Sequence, residues 1–260
     1  MQISRTEEAL ITRRSSPVGC LLFALALPAA LVPGTSLGQN RSPDPDEVAG
    51  LVVRLTNEFR AQERRGKVAL NPRLTEPALY FAGYLGKTGR FGHEADGSTP
   101  DARARRHGYD YCIVSENIAY EYSSTGFTAR ELAERFVAGW KKSPGHRRNM
   151  LDPDVTETGA AVARGDRPGH YYAVQMFGRP AAQATRFSIA NRSNAAVNYR
   201  LGGSVFALAP RQTRTHQQCR SEELKIAWAG RRQETSLTPR NGARLAIVRS
   251  DSGGLSLKIE

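Results

Sequence analysis

The sequence predicts an α+β protein: a three-layer α/β/α sandwich over residues 45–180, followed by a small, sandwich-like, all-β domain over residues 184–260. Three observations carry this expectation. Apolar residues recur at helical spacing in several segments before residue 142. Two adjacent β-type runs, Thr158–Arg164 and His170–Phe177, are joined by Gly165-Asp166-Arg167-Pro168-Gly169, a hairpin loop. After Arg179-Pro180 helical stripes cease, and short β-rich runs alternate with glycine turns. Helices able to cover both faces of a few strands make three layers.

The first helix is expected at 45–65. Asp44 is placed to cap it, Pro45 stands at its first position, and Val48, Leu51, Val52, Leu55 and Phe59 form one stripe. Leu70-Asn71-Pro72 reads as a turn, with Thr75 capping a second helix whose stripe is Ala78, Phe81, Ala82 and Leu85. A short helix is expected from Pro100 to Arg106, and an extended segment around 112–120. Thr128 and Glu131 form a capping box before the stripe Leu132, Phe136, Val137, Trp140, and Ser143-Pro144-Gly145 reads as that helix's end. In the C-terminal part, strands are expected at 187–191, 196–208, 224–228, 243–248 and 255–259.

The N-terminus reads as a secretory signal peptide over residues 1–38. Arg13 and Arg14 precede an apolar run from Cys20 to Val32, too short to span a bilayer, and small residues follow up to Gly38. Residues 39–44 read as a polar leader. A secreted or periplasmic location follows as an expectation, with no transmembrane segment. Removing residues 1–38 takes away three arginines and two glutamates, so the formal charge of +12 becomes +11. Cys112 and Cys219 then remain, an even pair that outside the cytoplasm reads as a disulfide, the alternative being two free thiols. Arginine supplies 31 of the 37 basic residues, in scattered short pairs without interleaved aromatics. That pattern disfavours a nucleic-acid partner and leaves an anionic envelope surface as a partner class.

Four of the five histidines fall between Phe91 and Gly178, beside Glu116. Imidazole and carboxylate are the groups that bind metals and move protons near neutral pH. His93-Glu94 does not continue into a zinc-protease helix, because position 97 is Gly. No nucleophile elbow or phosphate loop occurs. Any site must therefore be assembled from distant islands. His93, Glu116, His146 and His170 are its candidate members.

Those islands, taken in order, resemble the CAP superfamily of cysteine-rich secretory, antigen 5 and pathogenesis-related proteins, and within it the secreted bacterial branch. The matching residues are Asn57-Glu58-Phe59-Arg60, Leu70-Asn71-Pro72, Phe91-Gly92-His93, Ser115-Glu116-Asn117-Ile118-Ala119, Trp140 with Ser143-Pro144-Gly145-His146-Arg147, Asn149, Leu151, and Phe177-Gly178. The resemblance implies an α/β/α sandwich with a central cleft of two histidines and two glutamates able to take a divalent metal such as Zn²⁺. His93 and His170 match the family's histidines and Glu116 its first glutamate. Ser143 stands where the second glutamate is found, and His146 lies one turn on. The resemblance further implies a secreted binding module for a metal, a small molecule or a lipid, without a catalytic residue. The rival expectation is a metal-dependent hydrolase of the cell envelope, drawing on Ser115, Ser143 or a metal-bound water.

Overall fold

The structure, a computed structural model, describes residues 42–230, 232–250 and 253–260. The expected signal peptide lies outside them. Together they form one compact unit.

Helix α1 (Pro45–Gln62) starts where Asp44 accepts from the Asp46 N–H, with Pro45 in its first turn. Strand β1 (Ala69–Leu70) leads to helix α2 (Pro72–Thr88), then α3 (Pro100–Arg106) and strand β2 (Tyr111–Tyr122). Helices α4 (Ala129–Lys142) and α5 (Pro144–Leu151) precede the hairpin of β3 (Glu157–Arg164) and β4 (His170–Pro180). The capping box of Thr128 and Glu131 is formed.

Two expectations need correction. Helix α2 is capped by Asn71, whose Oδ1 accepts from the Arg73 N–H at 2.9 Å, not by Thr75. The side chain of Thr75 instead donates back to the Asn71 carbonyl. An Asn followed by Pro at the first helical position is the stronger start signal. Ser143-Pro144-Gly145 ends α4 but also begins α5: Ser143 is extended (φ −86°, ψ 119°), and Pro144 suits a first helical position.

The sheet order is β1-β3-β4-β2, with β1 parallel to β3 and the other pairs antiparallel. Along β4, Tyr171, Ala173 and Phe177 enter the core shared with α1 and α4, whereas Tyr172, Val174 and Met176 enter the core shared with α2 and α3. This burial on both faces explains the largely apolar character of the strand, in which the buried Gln175 is paired with Thr56 and Thr158. Gly159 on β3 lets α2 approach closely, since a Cβ there would collide with the backbone of Leu74 and Thr75.

Eight strands follow: β5 (Thr185–Asn191), β6 (Val197–Leu201), β7 (Ser204–Leu208), β8 (Thr213–Gln218), β9 (Leu224–Ala227), β10 (Glu234–Leu237), β11 (Arg244–Arg249) and β12 (Leu255–Ile259). They make two four-stranded sheets, β10-β9-β6-β7 and β12-β11-β5-β8, over one core that includes Phe187, Tyr199, Leu224, Trp228 and Ile247. Strands β8 and β10 escaped sequence reading because they are polar: β8 buries only His216 and Gln218, and no residue of β10 is fully buried. A Cys112–Cys219 disulfide joins β2 to the loop after β8. Beside it Arg220 meets Asp152 at 2.8 Å, and the Ser221 N–H donates to Asp154 at 3.0 Å.

Candidate functional site

The site begins with a buried guanidinium. Arg103 on α3 lies over the Phe81 ring, 3.6 Å from its centroid, and its side chain is fully buried. One terminal nitrogen donates to Asp96 Oδ1 at 2.9 Å and to the Ser98 carbonyl at 2.6 Å. The other donates to both Glu116 oxygens, at 3.0 and 2.9 Å, and to the His93 carbonyl at 2.9 Å. A buried carboxylate such as Glu116 requires such a partner. Asp96 is held below the usual carboxylate range: burial alone would raise it, but its hydrogen bonds with Ser98 and the charge of Arg103 outweigh that effect.

His93 completes the chain. Its Nδ1 lies 2.8 Å from Glu116 Oε1, while the side chain is 46% exposed. Gly92 makes the preceding turn at φ 154°, a value that side chains rarely adopt. An ionised carboxylate only accepts, so in the neutral ring Nδ1–H donates to it and Nε2 presents a lone pair. The His146 ring lies 6.3 Å from that of His93, centroid to centroid.

His146 is brought there by side chains that dock α4 and α5 on β2. The Trp140 indole donates to the Ile118 carbonyl at 3.0 Å, and Asn149 donates to the Glu116 carbonyl at 3.1 Å and to Asn117 Oδ1 at 3.0 Å. Asn117 in turn donates to the His146 carbonyl. The motif residues of these islands are therefore mostly devices of assembly. They place two imidazoles at one spot.

Burial, and secondarily the nearby His93, pushes His146 below its ordinary value of 6.5. Burial does the same to His216, followed by the charge of Arg214. The unfolded chain thus binds more protons at mildly acidic pH than the folded one. Stability from these groups is present above pH 6.5 and is lost as pH falls through 6.5 toward the lowered folded values. The double variant His146→Gln/His216→Gln should show a flatter decline of urea midpoint below that pH than the parent, measured over a pH series.

The remaining expected members lie elsewhere. Glu116 is paired with Met176 across β2 and β4, whereas His170 is paired with Tyr122. Six residues of strand separate them, roughly 20 Å. His170 packs on Tyr122 at 4.6 Å and borders a separate cavity of about 440 Å³ with Ser42, Ser123, Ser124 and Arg164. His93 and His170 therefore cannot share one metal ion. Ser143 occupies the cap of α5 without a side-chain cap bond. Ser115 Oγ is buried without a partner, and neither hydroxyl bonds an imidazole among the described residues. Half-exposed rings lie between the two ends of β2: Tyr120 (56%) meets Phe91 (48%) at 5.3 Å and Tyr172 at 6.2 Å.

The sequence profile of the Cysteine-rich secretory protein family, CAP, matches residues 53–177. This segment is a CAP domain. Solved structures similar to the chain include an outer surface protein from Borrelia burgdorferi, 20% identical, with a TM-score of 0.46 over 53% of this chain and 96% of that one. An extracellular SCP-domain protein from Bacillus anthracis is 23% identical (TM-score 0.42, 52% of this chain), and a cysteine-rich secretory protein from Staphylococcus aureus is 18% identical (TM-score 0.39, 52% of this chain). The chain spans about two-fifths of those two, 41% and 40%. No curated protein matches it.

In this CAP domain the histidine cluster departs from the metal set expected of it. No group of three or more His, Cys, Asp or Glu is arranged to hold a metal among the described residues. Glu116 already serves Arg103 and His93 with both oxygens. The donors present fall short of a resident metal site, and only His93 and His146 remain near one point. Arg103 and Asp96 are the functional residues that sequence reading missed. Arg103 belongs to an Arg-Ala-Arg-Arg run, which reads as a solvated face.

Proposed function

We propose that the protein is an exported binding module whose CAP cleft holds a small, hydroxyl-bearing amphipathic ligand. One observation carries the reading: a half-exposed imidazole, fixed through Nδ1 by a buried carboxylate, offers an Nε2 acceptor at the end of an aromatic shelf. The Arg103–Glu116–His93 chain fixes the ring before a ligand arrives, so little ordering is needed on binding. Phe91 and Tyr120 supply rigid apolar faces, and Tyr rings keep a polar edge toward water. A lipid alcohol or sterol has this chemistry: one hydroxyl to donate to His93 and a hydrocarbon body to lie on the rings. Export is supported by the apolar N-terminal run, and no helix of the described residues is long and apolar enough to cross a membrane.

A fluorescent cholesterol analogue tests the proposal. It should bind saturably at pH 7.5, with affinity reduced at least tenfold in Tyr120→Ala and several-fold in His93→Ala. Binding unchanged in both variants, or no saturable binding to the parent, would refute this reading. A titration with Zn²⁺ in the same series separates a cation ligand, for which Tyr120→Ala should have no effect.

A further inference from the structure

A second cavity, of about 590 Å³, lies along the other side of α5. Its walls carry four guanidiniums: Arg65 after α1, Arg147 and Arg148 on α5, and Arg220 beside the disulfide. Two of them are fixed. Arg147 bonds Glu63 at 2.7 Å and lies 5.3 Å from the Phe59 ring, while Arg220 bonds Asp152 at 2.8 Å. The lining carboxylates Asp152 and Asp154 are both engaged by Arg220, and Asp154 also faces Arg179 at 3.7 Å. Arg65 and Arg148 have no carboxylate partner among the described residues. The groove is left with two uncompensated positive charges. The groove runs along α5 from Pro144 to Leu151.

Guanidinium forks pair with oxyanions two bonds at a time. Two unpaired forks, Arg65 and Arg148, beside two already held by carboxylates fit a group with several acceptor oxygens and more than one charge, which phosphates have and a single carboxylate lacks. We infer that the Arg65–Arg147–Arg148–Arg220 groove is a binding site for a phosphate-bearing ligand, separate from the histidine cleft. It draws Arg220 from outside the CAP domain, so the C-terminal sheets help to build it.

The test must separate a built site from the general attraction of a chain with a formal charge of +12. Calorimetric titration with inorganic pyrophosphate at 0.15 M salt should show one site per chain. Arg65→Gln/Arg148→Gln should weaken it at least tenfold; both residues are exposed and have no carboxylate partner among the described residues. Arg232→Gln/Arg240→Gln removes the same charge from exposed positions outside the groove and should change affinity less than twofold. Flotation with phosphatidylglycerol vesicles, with and without competing pyrophosphate, identifies the source. Vesicle binding that pyrophosphate displaces assigns the site to phosphate itself. Vesicle binding that it does not displace, but that the groove variant abolishes, assigns it to a lipid headgroup. Equal losses in the two double variants, or no binding of either probe, overturn the proposal. His93→Ala should leave the groove untouched, so failure of the cleft reading would be seen separately.

Discussion

Arg103→Leu is expected to destabilise the protein by about 3–5 kcal/mol, the range for removing one partner of a buried ion pair. Thermal unfolding should shift down by roughly 6–20 °C, taking about 2–4 °C per kcal/mol for a chain of this size. The physical reason is that Asp96 and Glu116, each 1% exposed at the side chain, would lose their shared cation. The His93 and Ser98 carbonyls would lose a donor at the same time. Arg103→Lys should recover only a minor part, because one ammonium cannot reach both carboxylates and both carbonyls in the geometry of a planar fork. Adding Glu116→Gln to Arg103→Leu should restore some stability, since a neutral amide is less costly to bury than an unpaired charge. Scanning calorimetry of the three variants checks this. An unchanged transition in Arg103→Leu would show that the buried network contributes little.

The second large effect is expected from Cys112→Ser/Cys219→Ser. The bridge closes a loop of 107 residues. Chain-entropy reasoning gives such a link about 2–5 kcal/mol, mostly through the unfolded chain. The other ties along the junction are exposed or partly exposed pairs such as Arg220–Asp152, worth at most about 1 kcal/mol each. The variant should therefore lose cooperativity as well as stability. One calorimetric transition in the oxidised parent should become two, with the lower one belonging to the C-terminal sheets. Reductant should produce the same split in the parent and change nothing in the variant. A single transition at the parental temperature in all cases would contradict the account.

The two variants bear on what could be read in advance. Helices α1, α3 and α4 were legible because their caps and stripes are local: Asp44 before Pro45, Thr99 before Pro100, and the Thr128–Glu131 box. The β3–β4 hairpin was legible from its turn. The cysteine pair pointed to a disulfide, which is formed between Cys112 and Cys219, although residue spacing does not give a spatial distance. At the site, His93, Glu116 and His146 lie together. His170 does not join them: it pairs with Tyr122, six positions along β4 from the partner of Glu116. Alternation along a strand tells which side a residue faces, whereas position along the strand depends on register with β2, which only the assembled sheet supplies. Arg103 was illegible for a related reason. Nothing local marks one arginine of four neighbouring positions as the one that turns inward.

The docking of α4 and α5 has a further effect. Strand β2 ends the sheet, and its outward carbonyls at Glu116 and Ile118 are already taken by the Asn149 amide and the Trp140 indole. A free strand margin of this kind ordinarily invites an extended peptide or a second copy to add on. Here the ladder is terminated by side chains, so recruitment by backbone pairing along this stretch is blocked. A partner meeting this stretch of β2 must be recognised through side-chain chemistry instead.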